Sequence, residues 1–354
     1  MLRLDRYLLK TLAVWTSVVL MVLISFRAIG TFVDEIGKIG QGDYRMSHIL
    51  LITLMRTPGY LYELFPVALL IGGLLGLGGL AKQRELIALR AAGVSVLDLL
   101  KSLVKAGVIM ITIGVLVGEF IAPMLEKEAE MMRAKWLHRQ TILQSQYGVW
   151  IREDNTFMNI RQINPEGEIS DISVYTFDEQ GNLTRMQQAE RASMVEGNWR
   201  LLNVEETQVA SRRNFSSTLP QRPFSAGLDQ DMLVNLGIEP AFMSISQLFN
   251  YISFLHEHEQ RSSEHEVSFW SKLAVPVISI MMLMMSLPFV MRDIRSTDIG
   301  KHLIAGIMIG VLFFLVSRTL GFAGMIYDVS PIAVAWLPVV LLGIAIAFLY
   351  RRYV

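Results

Sequence analysis

The sequence of residues 12–33 is LAVWTSVVLMVLISFRAIGTFV, a run in which Arg27 is the single charged residue. A helix needs about 20 mostly apolar residues to cross the hydrocarbon core of a bilayer, so this run predicts a membrane-spanning helix. Basic residues precede it, as they do in a signal peptide, but the run is too long for one and further spans follow. We therefore interpret it as an uncleaved first span.

Five more apolar runs have the same character, so six spans are predicted in all. They cover about residues 59–80, 97–122, 268–290, 303–326 and 332–350. The composition agrees, because 18% of the residues are charged, whereas soluble domains have about 25%. Three runs lie before a long polar region and three lie after it. The predicted fold is therefore an α-helical polytopic membrane protein with a domain inserted between two sets of three transmembrane helices.

The distribution of basic residues predicts the orientation of these spans. Lys and Arg are concentrated in the amino terminus, in the second and fourth connections and in the tail, whereas loop 327–331 contains neither. Connections rich in Lys and Arg stay in the cytoplasm. Both termini are therefore expected to be cytoplasmic, and residues 123–267 are expected to lie outside.

The polar region 123–267 has an organisation of its own. Its residues up to about 140 have the period of an amphipathic helix. Short runs with a period of two follow, separated by turn formers such as Pro165-Glu166-Gly167. Such runs predict an antiparallel sandwich or roll at about 141–240, followed by a return helix at about 244–266. The predicted domains are 1–122 with three spans, 123–267 with the β domain, and 268–354 with three spans.

Several chemistries lack the residues that they need. There is no Cys, and 32 Lys and Arg residues balance 32 Asp and Glu residues. Neither a thiolate site nor a nucleic-acid-binding surface is therefore indicated. No P-loop, H-E-x-x-H or G-x-S-x-G motif occurs. His256, His258 and His265 fit a solvated helix better than a metal site. We expect a non-catalytic chain that binds no cofactor, metal or nucleic acid directly.

Charged groups inside spans are costly, and each suggests a function. A net-cationic stripe is predicted where the first span continues outward, because its polar residues are spaced by 4, 3 and 4 and so share one helical face. Its members are Arg27, Thr31, Asp34 and Lys38, and Arg318 lies at a similar depth in the fifth span. Lys and Arg bind phosphate oxygens strongly, so these residues are predicted to bind an anionic lipid headgroup. Alternatively, Arg27 reaches the interface or pairs with Glu63 or Glu119.

The second connection contains a predicted helix at about 82–93. Residues 80–93 are LAKQRELIALRAAG, a helical segment that Gly93 terminates. Leu86, Leu89 and Arg90 share one of its sides. Such a helix can lie in the membrane interface. It can also dock in a groove on a cytosolic partner, as a pump without its own nucleotide site requires.

Short motifs in a particular order give the sequence a family resemblance. They are Leu4-Asp5-Arg6-Tyr7, Phe32-Val33-Asp34, Gly40-Gln41-Gly42, Phe65-Pro66, Gly118-Glu119 and Trp270-Ser271-Lys272. With these motifs, the chain resembles the LptF/LptG family of lipopolysaccharide-export permeases, which are subunits of an ABC transporter. The F-V-D and G-Q-G motifs make it most similar to the G-type subunit.

The resemblance implies a place in the Gram-negative inner membrane and a set of partners. An F-type sibling permease completes a heterodimer, a cytosolic ATPase dimer binds ATP and Mg, and a single-span bitopic subunit regulates entry of lipopolysaccharide. The inserted domain is then a periplasmic β-jellyroll that receives lipid extracted from the outer leaflet. The second connection is the coupling helix, and its implied ATPase contacts are Arg84, Glu85, Leu86, Leu89 and Arg90.

The sequence departs from the G-type pattern at two positions. The family often has a Lys where this chain has Thr31, and a further basic residue where it has Gly37. We hypothesise that Arg27, one turn earlier on the same face, or Arg318 in the fifth span supplies the missing charge.

Two other functional classes compete with this interpretation. In a mechanotransmitting or assembly protein, the β domain binds another protein and no lipid enters the membrane part. The predicted cationic stripe argues against that class. A membrane-embedded hydrolase needs a nucleophile or a metal constellation, and the sequence offers neither.

Overall fold

The computed structural model describes residues 3–137, 143–153, 155–163, 169–178, 180–195, 198–209, 215–224, 239–257, 260–292, 299–327 and 329–353. The chain forms two compact units. The first comprises Met1–Asp34, Thr53–Pro123 and Ser263–Val354, and the second comprises Glu35–Ile52 and Met124–Ser262. The segment Glu35–Ile52 therefore groups with the inserted region, although the sequence predicts no such association.

Helices dominate the described part of the chain. They are α1 Arg3–Ile36, α2 Met46–Lys82, α3 Glu85–Ala91, α4 Val96–Leu116, α5 Ala122–Trp136, α6 Ile245–Glu257, α7 Ser263–Arg292, α8 Ile299–Tyr327 and α9 Pro331–Tyr353, with a π-helical turn, Val117–Ile121, between α4 and α5. Six helical segments within the described residues are long and apolar enough to cross a membrane. The predicted α-helical polytopic fold with six spans is thus confirmed.

α2 is the central helix of the first unit. In its most apolar segment 83% of the residues are buried, against 22% in α1 and 11% in α8. Glycines allow this enclosure, since small residues let helix backbones approach closely in membranes. A Cβ added at Gly72 would lie 2.7 Å from the Cα of Thr16 in α1, and one added at Gly73 would lie 2.7 Å from Oγ of Ser286 in α7. α1 and α8 therefore lie at the periphery and leave apolar faces uncovered.

Sharp turns isolate the short helix α3 from the spans on either side. Arg84, the residue before it, has a left-handed backbone with φ 63°, which non-glycine residues adopt only occasionally. Gly93 follows α3 with φ 88°. α4 then begins with a capping box, because the Asp98 N–H donates to Ser95 Oγ at 3.1 Å and the Ser95 N–H donates to the Asp98 carboxylate at 3.3 Å.

The inserted region contains a six-stranded antiparallel sheet in which strands neighbour each other in chain order. The strands are β1 Leu143–Glu153, β2 Thr156–Ile163, β3 Ile169–Phe177, β4 Leu183–Val195, β5 Asn198–Gln208 and β6 Phe215–Phe224. Their apolar side chains alternate, as a sheet with one covered face requires. Ile160, Ile172, Val174 and Val204 are buried on that face. The prediction of an inserted antiparallel β domain is confirmed.

A crease crosses this sheet from β2 to β6. The ladder pairs the residues on either side of one line but not those on the line itself, which are Arg161, Asp171, Glu190, Asn203 and Pro220. Asp171 and Asn203 have positive φ values of 52° and 54°. Such irregularities bend strands and increase twist, so the sheet is bent along this line.

The return to the spans differs from the predicted continuous helix at about 244–266. α6 ends at Glu257 and α7 begins at Ser263, because the Gln260 N–H donates to the Leu255 carbonyl at 2.8 Å and closes the end of α6. His256 and His265 consequently lie on different helices, and His258 lies outside the described residues. Burial raises the pKa of Tyr251 in α6 to about 12.

Candidate functional site

Arg27 lies near the carboxyl-terminal end of α1 and leans towards α2. Its Nη1 donates to Thr31 Oγ1 at 3.1 Å, and its guanidinium carbon lies 4.7 Å from the centre of the Tyr60 ring. Its Nε is 3.9 Å from a carboxylate oxygen of Glu63, which was the alternative partner suggested by the sequence. The side chain is still 41% exposed, so an anionic ligand can approach it.

Thr31 joins two helices. Its side chain is buried, and its Oγ1 lies 2.6 Å from the Tyr60 hydroxyl in α2. A hydroxyl pair in an apolar surrounding satisfies two groups that would otherwise be costly to bury. Thr31 is therefore a packing contact between α1 and α2 in this structure. The sequence predicts that it binds a lipid headgroup, but its side chain is buried.

The predicted four-residue stripe is not one helical face. α1 ends at Ile36, and Lys38 lies in the following turn, where the chain reverses with Gly40 at φ 84°. Lys38 belongs to the second unit and donates to Glu35 at 2.7 Å. Asp34 is exposed on the last turn of α1. The spacing argument holds for Arg27, Thr31 and Asp34, and it fails for Lys38 because the helix stops two residues too early.

Glu35 is a central residue of the second unit that sequence reasoning missed. It is only 3% exposed, and its carboxylate accepts hydrogen bonds from Lys38, from the Tyr44 hydroxyl at 3.0 Å and from Arg133 Nε at 3.3 Å. Nearby, the Asp43 N–H donates to the Trp136 carbonyl at 2.8 Å. Glu35 thus ties the loop after α1 to α5. Only its place beside the F-V-D motif hints at this role.

Arg318 is exposed on α8 and is surrounded by aromatic rings of its own helix. Its guanidinium carbon lies 6.0 Å from the centre of the Phe314 ring and 5.6 Å from that of Phe322. Within the described residues no carboxylate forms an ion pair with it. An unpaired cation inside a span is costly, so Arg318 fits a site that an anion completes.

The helix α3 presents a different face from the predicted one. Leu86 is fully buried at 0% exposure, and Leu89 is half-buried against the same core. These two residues anchor α3 to its own chain and do not face a partner, because the apolar side of an isolated helix packs inwards. The outward face consists of Arg84, Ile87, Ala88 and Arg90.

Polar contacts that the sequence does not reveal join the beginning of α1 to α3 and to α4. The Tyr7 hydroxyl donates to the Glu85 carboxylate at 2.5 Å. The buried carboxylate of Asp5 accepts from Ser102 Oγ at 2.6 Å and from Lys105 Nζ at 3.2 Å. Donor and acceptor are 78 residues apart in the Tyr7–Glu85 pair and 97 residues apart in the Ser102–Asp5 pair, so no local pattern predicts these contacts.

A buried Lys lies deeper among the spans. Lys272 in α7 is only 6% exposed, and its Nζ lies 5.4 Å from the centre of the Tyr62 ring. The Tyr62 hydroxyl donates to the Lys272 carbonyl at 3.1 Å. Gly118, in the π-helical turn, packs directly against the same ring. Tyr62 therefore holds two neighbouring spans at one point.

The covered face of the sheet carries one charged cluster. The buried carboxylate of Glu206 accepts from Gln187 at 2.7 Å, lies 3.4 Å from Arg185 Nε and forms an ion pair with Arg222. Burial and the charge of Arg185 lower the pKa of Arg222. The described residues contain no group of three or more His, Asp or Glu side chains that could hold a metal ion.

Comparison with known proteins places this arrangement in a wider context. A family model described as lipopolysaccharide export system permease LptF/LptG matches residues 6–352. The lipopolysaccharide export system permease protein LptG of Haemophilus influenzae is 31% identical over 351 residues, which cover 99% of this chain and 98% of that protein. The protein of the same name from Escherichia coli is 30% identical over 338 residues, which cover 95% of this chain and 94% of that protein.

Proposed function

The chain belongs to the lipopolysaccharide export permease family LptF/LptG, and from this premise we propose that it is the G-type permease subunit of an ATP-driven lipid extractor. The extractor removes lipopolysaccharide from the outer leaflet of the inner membrane and passes it to a periplasmic β-jellyroll bridge. The observation that carries this proposal is the extent of the family match, because residues 6–352 include all six spans and the inserted sheet.

The uncovered faces of α1 and α8 are where the proposal places the lipid. Only 22% and 11% of their apolar segments are buried, so these faces contact either bilayer lipid or another subunit. An F-type sibling permease that faces them encloses a cavity. Arg27 and Arg318 then supply cationic groups for the phosphates of the headgroup, and Arg318 in particular is a cation for which the described residues provide no carboxylate.

The proposal assigns the energy source to other chains. A cytosolic ATPase dimer binds ATP and Mg and docks on the outward face of α3, where Arg84 and Arg90 flank the exposed Ile87. Basic connections stay in the cytoplasm, so both termini and α3 are cytoplasmic and the sheet is periplasmic. The chain itself performs no covalent chemistry.

The inserted sheet receives acyl chains in this proposal. Its covered face is apolar over Ile160, Ile172, Val174 and Val204. The hydrophobic effect is not directional. An apolar face of this kind can therefore give up its present contacts and bind the acyl chains of a lipid at little cost in free energy. A single-span bitopic subunit regulates entry, as the family resemblance implies.

The first test is isolation of the intact complex from its native membrane. Native mass spectrometry is expected to find an ATPase pair, a sibling six-span permease and bound lipopolysaccharide. Stable association with the ATPase in several detergents, but without lipid, would favour the mechanotransmitting class. Recovery of the chain with neither partner would refute the proposal.

The second test addresses the headgroup site. Arg318→Ala is expected to reduce photo-cross-linking of lipopolysaccharide from a probe at Phe322, and Arg27→Ala is expected to do the same from a probe at Ile29. Arg352→Ala is the matched control, because Arg352 also lies near an aromatic ring of its own helix, 5.9 Å from Phe348, but at the opposite end of a span. Unchanged cross-linking and transport in both variants would remove these residues from the site.

A further inference from the structure

α1 is one uninterrupted helix that runs from the ATPase-facing region to the lipid-facing region. It extends from Arg3 to Ile36 over 34 residues, which makes it about 50 Å long at 1.5 Å per residue. A helix without a proline or a break moves as a rigid rod, since kinks need an identifiable cause. A displacement of one end of α1 therefore also moves the other end.

At its first end α1 is linked to α3 by a side-chain hydrogen bond. The Tyr7 hydroxyl donates to Glu85 at 2.5 Å, and Glu85 is the first residue of α3. Hydrogen bonds to a charged acceptor are shorter and stronger than neutral ones. A force on α3 therefore reaches α1 through this bond, in addition to the core that Leu86 shares with Leu8 and Leu12.

The middle of α1 contains a crossing point about which it can tilt. Thr16 meets the backbone of α2 at Gly72, and a Cβ added at Gly76, one turn away, would lie 3.4 Å from Trp15 Cδ1. Leu8 and Leu12, before the crossing, are almost fully buried. After the crossing the packing becomes loose, and residues 21–30 include no buried side chain.

The second end of α1 returns to α2 at the lipid-facing region. Thr31 Oγ1 lies 2.6 Å from the Tyr60 hydroxyl, and Arg27 rests against the same ring. This contact keeps the guanidinium near Glu63. Tilting α1 away from α2 separates Thr31 from Tyr60 and frees Arg27 for another anion.

We propose that Tyr7 is a positioning residue that couples the ATPase-binding helix α3 to movement of α1. Rotation of α3 by the ATPase pulls on Tyr7 through Glu85, α1 tilts about the crossing of Thr16 and Gly72, and the contact between Thr31 and Tyr60 opens. The inference rests on the proposed function, since it needs an ATPase bound to α3. It gives a role in the transmission of force to Tyr7, which the motif Leu4-Asp5-Arg6-Tyr7 contains without indicating a function.

The test uses the complete complex in nanodiscs that contain lipopolysaccharide. In Tyr7→Phe the ATPase is expected to remain bound, while the amount of lipid extracted per ATP hydrolysed falls about ten-fold, as expected when one hydrogen bond to a charged group is removed. Tyr327→Phe is the matched control, because Tyr327 is exposed and lies at the end of α8. An unchanged ratio in Tyr7→Phe would overturn the proposal.

A second readout reports the movement itself. The chain has no Cys, so spin labels can be attached selectively at Ile29→Cys in α1 and Leu54→Cys in α2, which are both exposed. With partner subunits that are free of cysteine, the two labels report the distance between α1 and α2. The distance distribution is expected to change with nucleotide in the parent and to stay constant in Tyr7→Phe. The same nucleotide-dependent change in both proteins would contradict the proposal, because a merely stabilising bond would leave the movement intact.

A covalent substitute keeps the proposal testable if Tyr7→Phe does not assemble. The double variant Tyr7→Cys/Glu85→Cys is compared with itself before and after bridging by a short bismaleimide. Glu85 is also an implied ATPase contact, so the comparison is made on double-variant complexes that retain the ATPase. In these complexes bridging is expected to restore extraction per ATP hydrolysed, and no gain on bridging would overturn the proposal. If the parent complex contains no ATPase, the proposed function itself fails, and this result is distinct from every outcome above.

Discussion

The crossing of α1 and α2 leads to a quantitative prediction for Gly72→Ala. The added methyl group would lie 2.5 Å from Oγ1, 2.7 Å from Cα and 2.8 Å from N of Thr16, whereas carbon atoms pack best at about 3.5–4.0 Å. Two of these three atoms belong to the backbone, so a new rotamer of Thr16 cannot relieve the contact. α1 must move away as a whole.

The magnitude follows from two opposing effects. Overpacking of a tight contact costs about 1–3 kcal/mol, and replacing a glycine inside a helix by alanine gains up to about 1 kcal/mol. Gly79→Ala is the matched control in the same helix, because nothing lies within 4 Å of its added Cβ. The helical gain is common to both variants, so Gly72→Ala is expected to be about 1–3 kcal/mol less stable than Gly79→Ala.

The assay is reversible unfolding in mixed micelles, followed by the circular dichroism of the helices. Both variants are titrated with the denaturing detergent under identical conditions, and the two free energies of unfolding are compared. Equal stability of the two variants would show that α1 does not contact α2 at Gly72. That result would also remove the tilting point from the account of α1.

Three further predictions concern individual carboxylates. Asp5→Ala is expected to lower the free energy of unfolding by about 1–3 kcal/mol in the same assay, since it leaves the buried Ser102 hydroxyl without its acceptor; a loss no larger than that of an exposed Asp would contradict this contact. Glu35→Gln is expected to accelerate hydrogen exchange of the amides that join the loop after α1 to α5, since Arg133 loses its buried anion; unchanged exchange would refute the role of Glu35. Hydrogen bonds from the backbone and side chain of Asn182 hold the pKa of Asp178 below its usual value, so this carboxylate stabilises the folded chain above its unfolded-state pKa of about 3.9, and the stabilisation is lost as the pH falls through the folded-state value. The difference in thermal midpoint between the parent and Asp178→Ala should therefore be present near pH 7 and disappear in acid, and a difference that persists in acid would exclude this cause.

The contacts of Arg27 have a consequence for lipid binding. Its guanidinium is shared by the Thr31 hydroxyl, the Tyr60 ring and the Glu63 carboxylate, and a headgroup must compete with all three. Arg318 has no such competitor among the described carboxylates. If both residues bind phosphate, we expect Arg318 to contribute in any state of α1, and Arg27 to contribute mainly when α1 has moved away from α2.

For α3 the sequence predicts the helical segment correctly, but the side of the helix that it assigns to a partner is the side that is buried in the structure. The sequence predicts the helix and its Gly93 terminus, because both depend on neighbouring residues. The family resemblance implies that Leu86 contacts the ATPase, and Leu86 and Leu89 form an apolar stripe on α3. The structure covers that stripe with the protein's own core, and Ile87, one residue further on, is left outside.

Sequence alone determined the six spans, the inserted antiparallel strands and the family of this protein. The length of an apolar run and the period of its polar residues are local properties, and a bilayer or a sheet face imposes them directly. Family motifs are likewise carried by consecutive residues.

Only the tertiary structure determines which charged and polar side chains are paired with distant residues of the same chain. Thr31 meets Tyr60 across 29 positions, Tyr7 meets Glu85 across 78, and Arg133 meets Glu35 across 98. Such pairs form only when separate helices pack side by side, and the packing depends on all the contacts of those helices together. A spacing of four residues therefore places Arg27 and Thr31 on one face of α1, but only the position of α2 buries one and leaves the other half-exposed.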